Sequence, residues 1–69
     1  MTVGDKIKQE REKRGISKYR MALDIGVGYN SLLKWERNEI FPSLMAACDV
    51  ADYFGITLDE LVGRTEVHK

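Results

Sequence analysis

Residues 29–37 place hydrogen-bonding side chains at the spacing of a helix. At about 100° per residue, Leu32 and Trp35 fall on one side of that helix. The opposite side carries Tyr29, Asn30, Leu33, Lys34 and Arg37. An Asn amide can bridge N6 and N7 of adenine, a Lys can donate to guanine or to a phosphate, and an exposed Leu can contact a thymine methyl group. The same pattern is also typical of a helix side that faces only water. The choice between base contact and simple exposure therefore depends on the elements around this helix.

The sequence has few residues that could form a catalytic site or a metal site. The chain has one cysteine, Cys48, and one histidine, His68, which is too few for an internal disulfide or a His/Cys zinc cluster. It has no Ser/His/Asp, Cys/His or phosphate-loop arrangement. We therefore predict neither enzyme activity nor a metal or other cofactor. Cys48 is interpreted as a small, buried or half-buried apolar residue.

Length and composition limit the chain to one small domain. It has 69 residues, of which 43% are hydrophobic and 32% charged, as in ordinary globular proteins. A domain of this size buries only about 60% of the surface of its unfolded chain, so forming a dimer would stabilise it. No apolar run approaches the roughly 20 residues of a membrane span, and the N-terminus lacks a signal peptide. We expect a cytoplasmic protein with no membrane partner.

Apolar residues recur three and four positions apart between glycine, asparagine and proline breaks, which predicts an all-α fold. The prediction is a compact five-helix bundle with helices at 3–14, 18–25, 29–36, 43–54 and 58–62. We expect the domain to cover residues 1–63 and residues 64–69 to be a disordered tail.

Three residues stand where helix N-caps are needed. They are Ser17, Ser43 and Thr57, and Glu60 follows Thr57 at the spacing of a capping box. Ser17 is followed three residues later by Arg20 instead of an acid, which places a cation unfavourably in the first turn of a helix. That choice is equally compatible with chance and with a preference for positive charge near a phosphate.

Charge is distributed unevenly although the formal net charge is zero. Residues 1–37 carry nine Lys and Arg against five Asp and Glu, and residues 38–69 carry two against six. A zero net charge argues against a nucleic-acid partner, whereas a basic half favours one. Ordinary solvated helix surfaces explain the same distribution, so charge alone does not decide.

Residues 18–37 have the spacing of a helix-turn-helix. Ala22 is a small residue where two helices touch, Gly26 allows the positive φ of a turn, and Leu32 packs back as an aliphatic residue. These three matched requirements predict a central helix-turn-helix made of the second and third helices.

Further motifs extend this pattern over almost the whole chain. They are Ile7-Lys8, Arg11, Gly15-Ile16-Ser17, Met21-Ala22, Ile25-Gly26-Val27, Lys34-Trp35-Glu36-Arg37, Pro42-Ser43-Leu44 and Leu58-Asp59-Glu60-Leu61. With them the sequence resembles the phage repressor and Cro family of helix-turn-helix regulators, also called the Xre type. The resemblance implies a lambda repressor-like fold in a bacterial or phage-encoded transcriptional regulator. It also implies a repressor that binds a double-stranded DNA operator as a homodimer.

The resemblance implies roles for individual residues, because the third helix of such proteins enters the major groove. The expected base-contacting residues are Tyr29, Asn30, Leu33 and Lys34. Asn30 and Lys34 rank highest among them, since their side chains match base edges best. No base is assigned to Tyr29, for which packing of the ring on the protein surface and contact of the hydroxyl with a phosphate remain open. The expected phosphate-contacting residues are Lys18, Arg37 and Asn38.

An ion pair between Arg11 and Glu36 is implied behind the third helix. Its expected role is structural, since removing one partner of a buried pair strands a charge. For Lys6, Lys13 and Arg14 in the first helix, phosphate contact and simple exposure to solvent both remain open.

Several residues depart from the family pattern. Glu10 stands where the family often has an aliphatic residue, and Gly28 replaces the polar N-cap of the third helix. Ile40 and Met45 are apolar where relatives are often polar, and our hypothesis is that they form a patch extending a dimer seam. Phe41 is interpreted as a residue that plugs the core.

A second function class remains open on the same fold. A protein-binding adaptor would contact its partner through Ile40, Met45 and the last helix, and zero net charge favours it. An antitoxin would combine partner binding with DNA binding. Binding of duplex DNA separates the regulator from the pure adaptor.

Overall fold

A computed structural model of the chain describes residues 2–63 and contains five α-helices over that range. The helices are α1 (Val3–Lys13), α2 (Lys18–Ile25), α3 (Tyr29–Glu36), α4 (Leu44–Phe54) and α5 (Leu58–Val62). The predicted all-α, five-helix fold is confirmed, and each predicted helix end lies within one residue of the observed one. The described range contains no strand, and none of its helices is long and apolar enough to cross a membrane. The predicted tail at 64–69 lies outside the described residues.

Side-chain caps start the helices where the sequence predicted them. Ser17, Ser43 and Thr57 each accept a hydrogen bond from the backbone N–H three residues later, at 3.0–3.1 Å. Thr57 and Glu60 form the expected capping box. A second capping box at the start of α1 was not predicted, and it joins Thr2 to Asp5. Each cap satisfies backbone donors that a helix N-terminus otherwise leaves without a partner.

The core lies where all five helices meet. α1 contacts α3, α4 and α5, while α2 contacts α3 and α4. The buried apolar side chains are Ile7, Met21, Ala22, Leu32, Trp35, Ala47, Val50, Ala51, Phe54 and Leu61. Since every helix contributes to this single cluster, the position of α3 depends on its neighbours as well as on its own sequence.

The turn between α2 and α3 has the predicted helix-turn-helix geometry. Gly26 ends α2 with a φ of 75°, a conformation that costs glycine little because it has no Cβ. The Val27 N–H then donates to the Ala22 carbonyl at 3.0 Å. Gly28 begins α3 without a side-chain cap, as its replacement of a polar residue implied.

Two sequence interpretations are wrong. Phe41 does not plug the core, since its side chain is 79% exposed in the stretch before α4, where residues 37–41 are all exposed. Cys48 is exposed too. The buried side of α4 is formed by Ala47, Val50, Ala51 and Phe54. Cys48 follows Ala47, so its side chain is rotated by about 100° around the helix axis, away from the buried side.

Candidate nucleic-acid interface

α3 has a buried side and an open side, as its periodicity predicted. Leu32 is fully buried and Trp35 is 6% exposed. On the other side, Asn30 and Lys34 are exposed, and Leu33 is half-buried. An amide, an ammonium and part of an isobutyl group therefore point away from the core together. Tyr29 and Arg37, also exposed, extend this surface at its two ends.

Arg11 and Glu36 meet behind this surface in a two-point ion pair. Arg11 Nε donates to Glu36 at 2.7 Å, and a second guanidinium nitrogen donates at 3.1 Å. Arg11 also donates to the Ile16 carbonyl at 2.8 Å. The carboxylate of Glu36 raises the pKa of Arg11, because it stabilises the charged guanidinium against the cost of burial. The pair attaches the last turn of α3 to α1.

The start of α2 supplies a further cation. Lys18 is the first residue of α2 and is half-buried. α2 itself is tied to α4, because Asp24 accepts a hydrogen bond from the Tyr53 hydroxyl at 2.6 Å. Asp24 also pairs with Arg20 at 3.1 Å, which neutralises the cation that replaces the usual acid in this capping position. Arg20 is thus already engaged with a carboxylate.

The end of α3 carries two residues that the sequence assigned to phosphate. Arg37 lies 3.8 Å from Glu39 in an exposed pair, and such pairs are weak in water. Asn38 instead uses its side-chain amide within the chain. Its Oδ1 accepts from the Gly4 N–H at 3.2 Å, and its Nδ2 donates to Asp5 at 3.3 Å. The sequence did not predict these contacts.

The buried carboxylate of Glu10 is the centre of a cluster of three cations on the first helix and just after it. It pairs with Lys6 at 2.9 Å, with Lys13 at 3.2 Å and with Arg14. Hydrogen bonds from Arg14, and then from Lys6, lower the pKa of Glu10 to about 2 against the effect of its burial. Arg14 further donates to the Phe54 carbonyl at 2.7 Å and lies over the Phe54 ring.

This cluster gives three cations of the first helix a partner within the chain. Lys6, Lys13 and Arg14 each pair with Glu10, and Lys13 and Arg14 remain exposed to solvent. The basic surplus of residues 1–37 is therefore partly internal. Within residues 2–63, Lys8, Lys18 and Lys34 form no ion pair, and Lys18 and Lys34 lie on the helix-turn-helix. The spacing of the charges around Glu10 was visible in the sequence, but its burial was not.

An apolar edge lies beside the helix-turn-helix. We use that name for Ile40, Phe41, Leu44 and Met45, which are 46%, 79%, 70% and 78% exposed. Phe41 and Leu44 also line a groove of about 320 Å³ whose other walls include Leu58 and Val62. Ile40 and Met45, the residues of the hypothesised dimer seam, are both exposed, and neither lines this groove. Over the described residues, no group of three or more His, Cys, Asp or Glu is placed to hold a metal ion.

Comparisons with known proteins show the family to which this chain belongs. A family model described as helix-turn-helix matches residues 7–61. The cryptic phage CTXphi transcriptional repressor RstR of Vibrio cholerae is 32% identical over 63 residues, which are 91% of this chain and 57% of RstR. The chain spans about half the length of the curated relatives it matches.

Two solved structures share the fold of this chain. SinR, a master regulator for biofilm formation solved in complex with DNA, has a TM-score of 0.81 and 30% identity, and the match covers 87% of this chain and 97% of the solved SinR chain. The P22 c2 repressor in complex with a synthetic operator has a TM-score of 0.86, over 93% of this chain and 97% of that chain. At 22% identity the likeness to the P22 protein shows the fold alone. The chain belongs to the Xre/Cro/C1-type family of helix-turn-helix regulators.

Proposed function

We propose that the chain is a sequence-specific regulator that binds a double-stranded DNA operator and represses transcription from it. The observation that carries the proposal is the open side of α3, where Asn30 and Lys34 are exposed while Leu32 and Trp35 fix the other side in the core. RstR is named a transcriptional repressor, and SinR is solved with DNA. A regulator of this kind acts where the DNA lies, which is the basis for expecting a cytoplasmic protein.

The proposed role of each residue in DNA contact follows from the chemistry of its side chain. With α3 in the major groove, Asn30 would bridge adenine N6 and N7, and Lys34 would donate to guanine O6 and N7. Leu33, half-buried, has an exposed part suited to a thymine methyl group. Tyr29 contacts the DNA at the start of the helix, with no base assigned to it.

The proposed backbone contacts come from both ends of the helix-turn-helix. Lys18 at the start of α2 and Arg37 after α3 would each neutralise one phosphate. The exposed pair between Arg37 and Glu39 is no obstacle, because a phosphate can replace a carboxylate that contributes little in water. Each of these contacts releases counterions from the DNA.

Affinity for duplex DNA is therefore expected to fall steeply with salt. Two neutralised phosphates per copy correspond to a slope in log K against log salt of about −1.8 for one copy and about −3.6 for the proposed homodimer. Fluorescence anisotropy with a labelled duplex measures that slope, and Lys18→Gln should reduce it by about 0.9 per copy. Lys8→Gln, on the exposed side of α1, is the control and should change it less. A nearly salt-independent affinity would contradict the proposal and favour the protein-binding adaptor.

The proposed regulator acts as a homodimer on two half-sites about one helical turn, roughly 34–36 Å, apart. The apolar edge is the proposed seam between the two copies, because exposed side chains of this size lose unfavourable contact with water when they pack together. Ile40 and Met45 were the residues that indicated this seam.

Adding charge to the apolar edge is expected to separate the copies. Ile40→Lys with Met45→Lys should raise the dimer dissociation constant at least about tenfold, because each ammonium would be buried against apolar side chains. Analytical ultracentrifugation measures the change, with Gln9→Lys on the exposed side of α1 as the control. A dimer that persists unchanged in the double variant would refute the seam.

A further inference from the structure

The contacts of Asn38 join the end of α3 to the start of α1. Asn38 has a φ of 62°, the one positive φ among the non-glycine residues described. Asn adopts this left-handed conformation more readily than most residues. Its backbone N–H donates to the Trp35 carbonyl at 3.0 Å, so the residue lies against the last turn of α3, and its side chain reaches α1.

The side-chain amide of Asn38 is matched to its two partners on α1. Oδ1 accepts from the Gly4 N–H at 3.2 Å, and Nδ2 donates to Asp5 Oδ1 at 3.3 Å. The other Asp5 oxygen accepts from the Thr2 N–H at 3.3 Å, which is half of the capping box of α1. Hydrogen bonds from Thr2, and then from Asn38, lower the pKa of Asp5, so the acceptor is an ionised carboxylate.

Gly4 shows how closely the two segments approach. A Cβ at this position would clash with the Trp35 carbonyl oxygen and with the Asn38 amide oxygen. The backbone of α1 therefore lies directly against the end of α3, and Gly4 is the residue that permits this approach.

These contacts give the end of α3 a second attachment to α1. The first is the ion pair between Arg11 and Glu36. Gly4 and Arg11 are seven positions apart on α1, which is about 10 Å along a helix. The buried Leu32 and Trp35 already hold α3 against the core. Two attachments that lie about 10 Å apart on α1 further restrict how the end of α3 can rotate. Lys34 and Arg37 lie in the segment that is held in this way.

We propose that Asn38 is a positioning residue, which fixes the direction of α3, and with it Lys34 and Arg37, by binding Gly4 and Asp5 through its amide instead of binding phosphate. The proposal rests on the proposed function, since it concerns how well α3 fits its operator. Side chains that contact bases must be held within roughly 0.5 Å of their working positions, so a small rotation of α3 weakens binding without unfolding the chain.

An exchange of the two partner residues tests this role. Asn38→Asp keeps the acceptor for Gly4 but sets a second carboxylate against Asp5, and it should weaken operator binding about tenfold. Asp5→Asn keeps an acceptor for Thr2 and should weaken binding less than about threefold. In the double variant, the amide at position 5 donates to the carboxylate at position 38. Affinity should then return to within about threefold of the unsubstituted chain.

The measurement is operator affinity at fixed salt, made well below the thermal midpoint of each variant so that all are folded. Asn38→Gly, which keeps the positive φ and removes the amide, is the second variant and should also weaken binding about tenfold. A double variant as weak as Asn38→Asp would overturn the proposal, because the restored pair of amide and carboxylate would then have failed to restore the position of α3. Lower thermal midpoints with unchanged affinity would overturn it as well.

The experiment distinguishes failure of the proposed DNA-binding function from failure of the positioning role of Asn38. If the unsubstituted chain selects no duplex, the proposed function falls and this role of Asn38 falls with it. If the unsubstituted chain binds and only the rescue fails, the regulator stands and the positioning role is rejected.

Discussion

Glu36→Gln is expected to lower the free energy of unfolding by about 3–5 kcal/mol. The side chains of Arg11 and Glu36 are only 9% and 3% exposed, so water cannot replace the lost carboxylate. Removing one charge leaves the guanidinium buried without its partner. Since a domain below about 70 residues is rarely stabilised by more than about 3–5 kcal/mol, the variant should retain little net stability at room temperature.

Urea unfolding followed by circular dichroism measures this loss. Lys8→Gln is the control, because Lys8 is exposed, and it should change stability by less than about 0.5 kcal/mol. Replacing both partners with apolar residues, Arg11→Met with Glu36→Leu, should recover most of the stability. Equal destabilisation by Glu36→Gln and Lys8→Gln would refute the structural role of the pair.

Asn30→Ala with Lys34→Ala is expected to abolish recognition of the operator while leaving the fold intact. Each well-formed contact to a base edge discriminates by about 1–3 kcal/mol, so the two together correspond to a loss of about 30-fold to 10⁴-fold in affinity. Both side chains are exposed, and the core beneath α3 is unchanged. Stability should therefore stay within about 1 kcal/mol of the unsubstituted chain.

A control variant separates base contact from loss of charge. Lys8→Ala with Gln9→Ala removes one ammonium and one amide from the exposed side of α1. It matches the α3 variant in charge and in the groups deleted, so it should weaken binding far less. Equal losses in the two variants would mean that α3 supplies only general positive charge.

The fold was predictable because its determinants are local in the sequence. The apolar spacing of α4, the left-handed glycine at position 26 and the caps at Ser17 and Thr57 each act within a few residues of where they stand. The open side of α3 was predictable for the same reason. Residues on one helix keep their relative directions whatever packs against that helix.

The remaining features depend on segments distant in the chain. Asn38 and Gly4 are 34 positions apart, and no short-range pattern reveals that they meet. Glu10 is buried in part because Arg14 reaches Phe54 on α4. The prediction that Phe41 plugs the core was wrong because hydrophobicity alone predicts burial. The segment after α3 leaves this side chain exposed to solvent.

The most direct test of the proposed function is selection from a random duplex library with the purified chain near physiological salt. The variant carrying Asn30→Ala and Lys34→Ala is selected in parallel. We predict that the unsubstituted chain enriches a two-fold symmetric site and that the variant loses this enrichment while remaining folded. No enrichment by a folded, unsubstituted chain would contradict the account and direct attention to a protein partner.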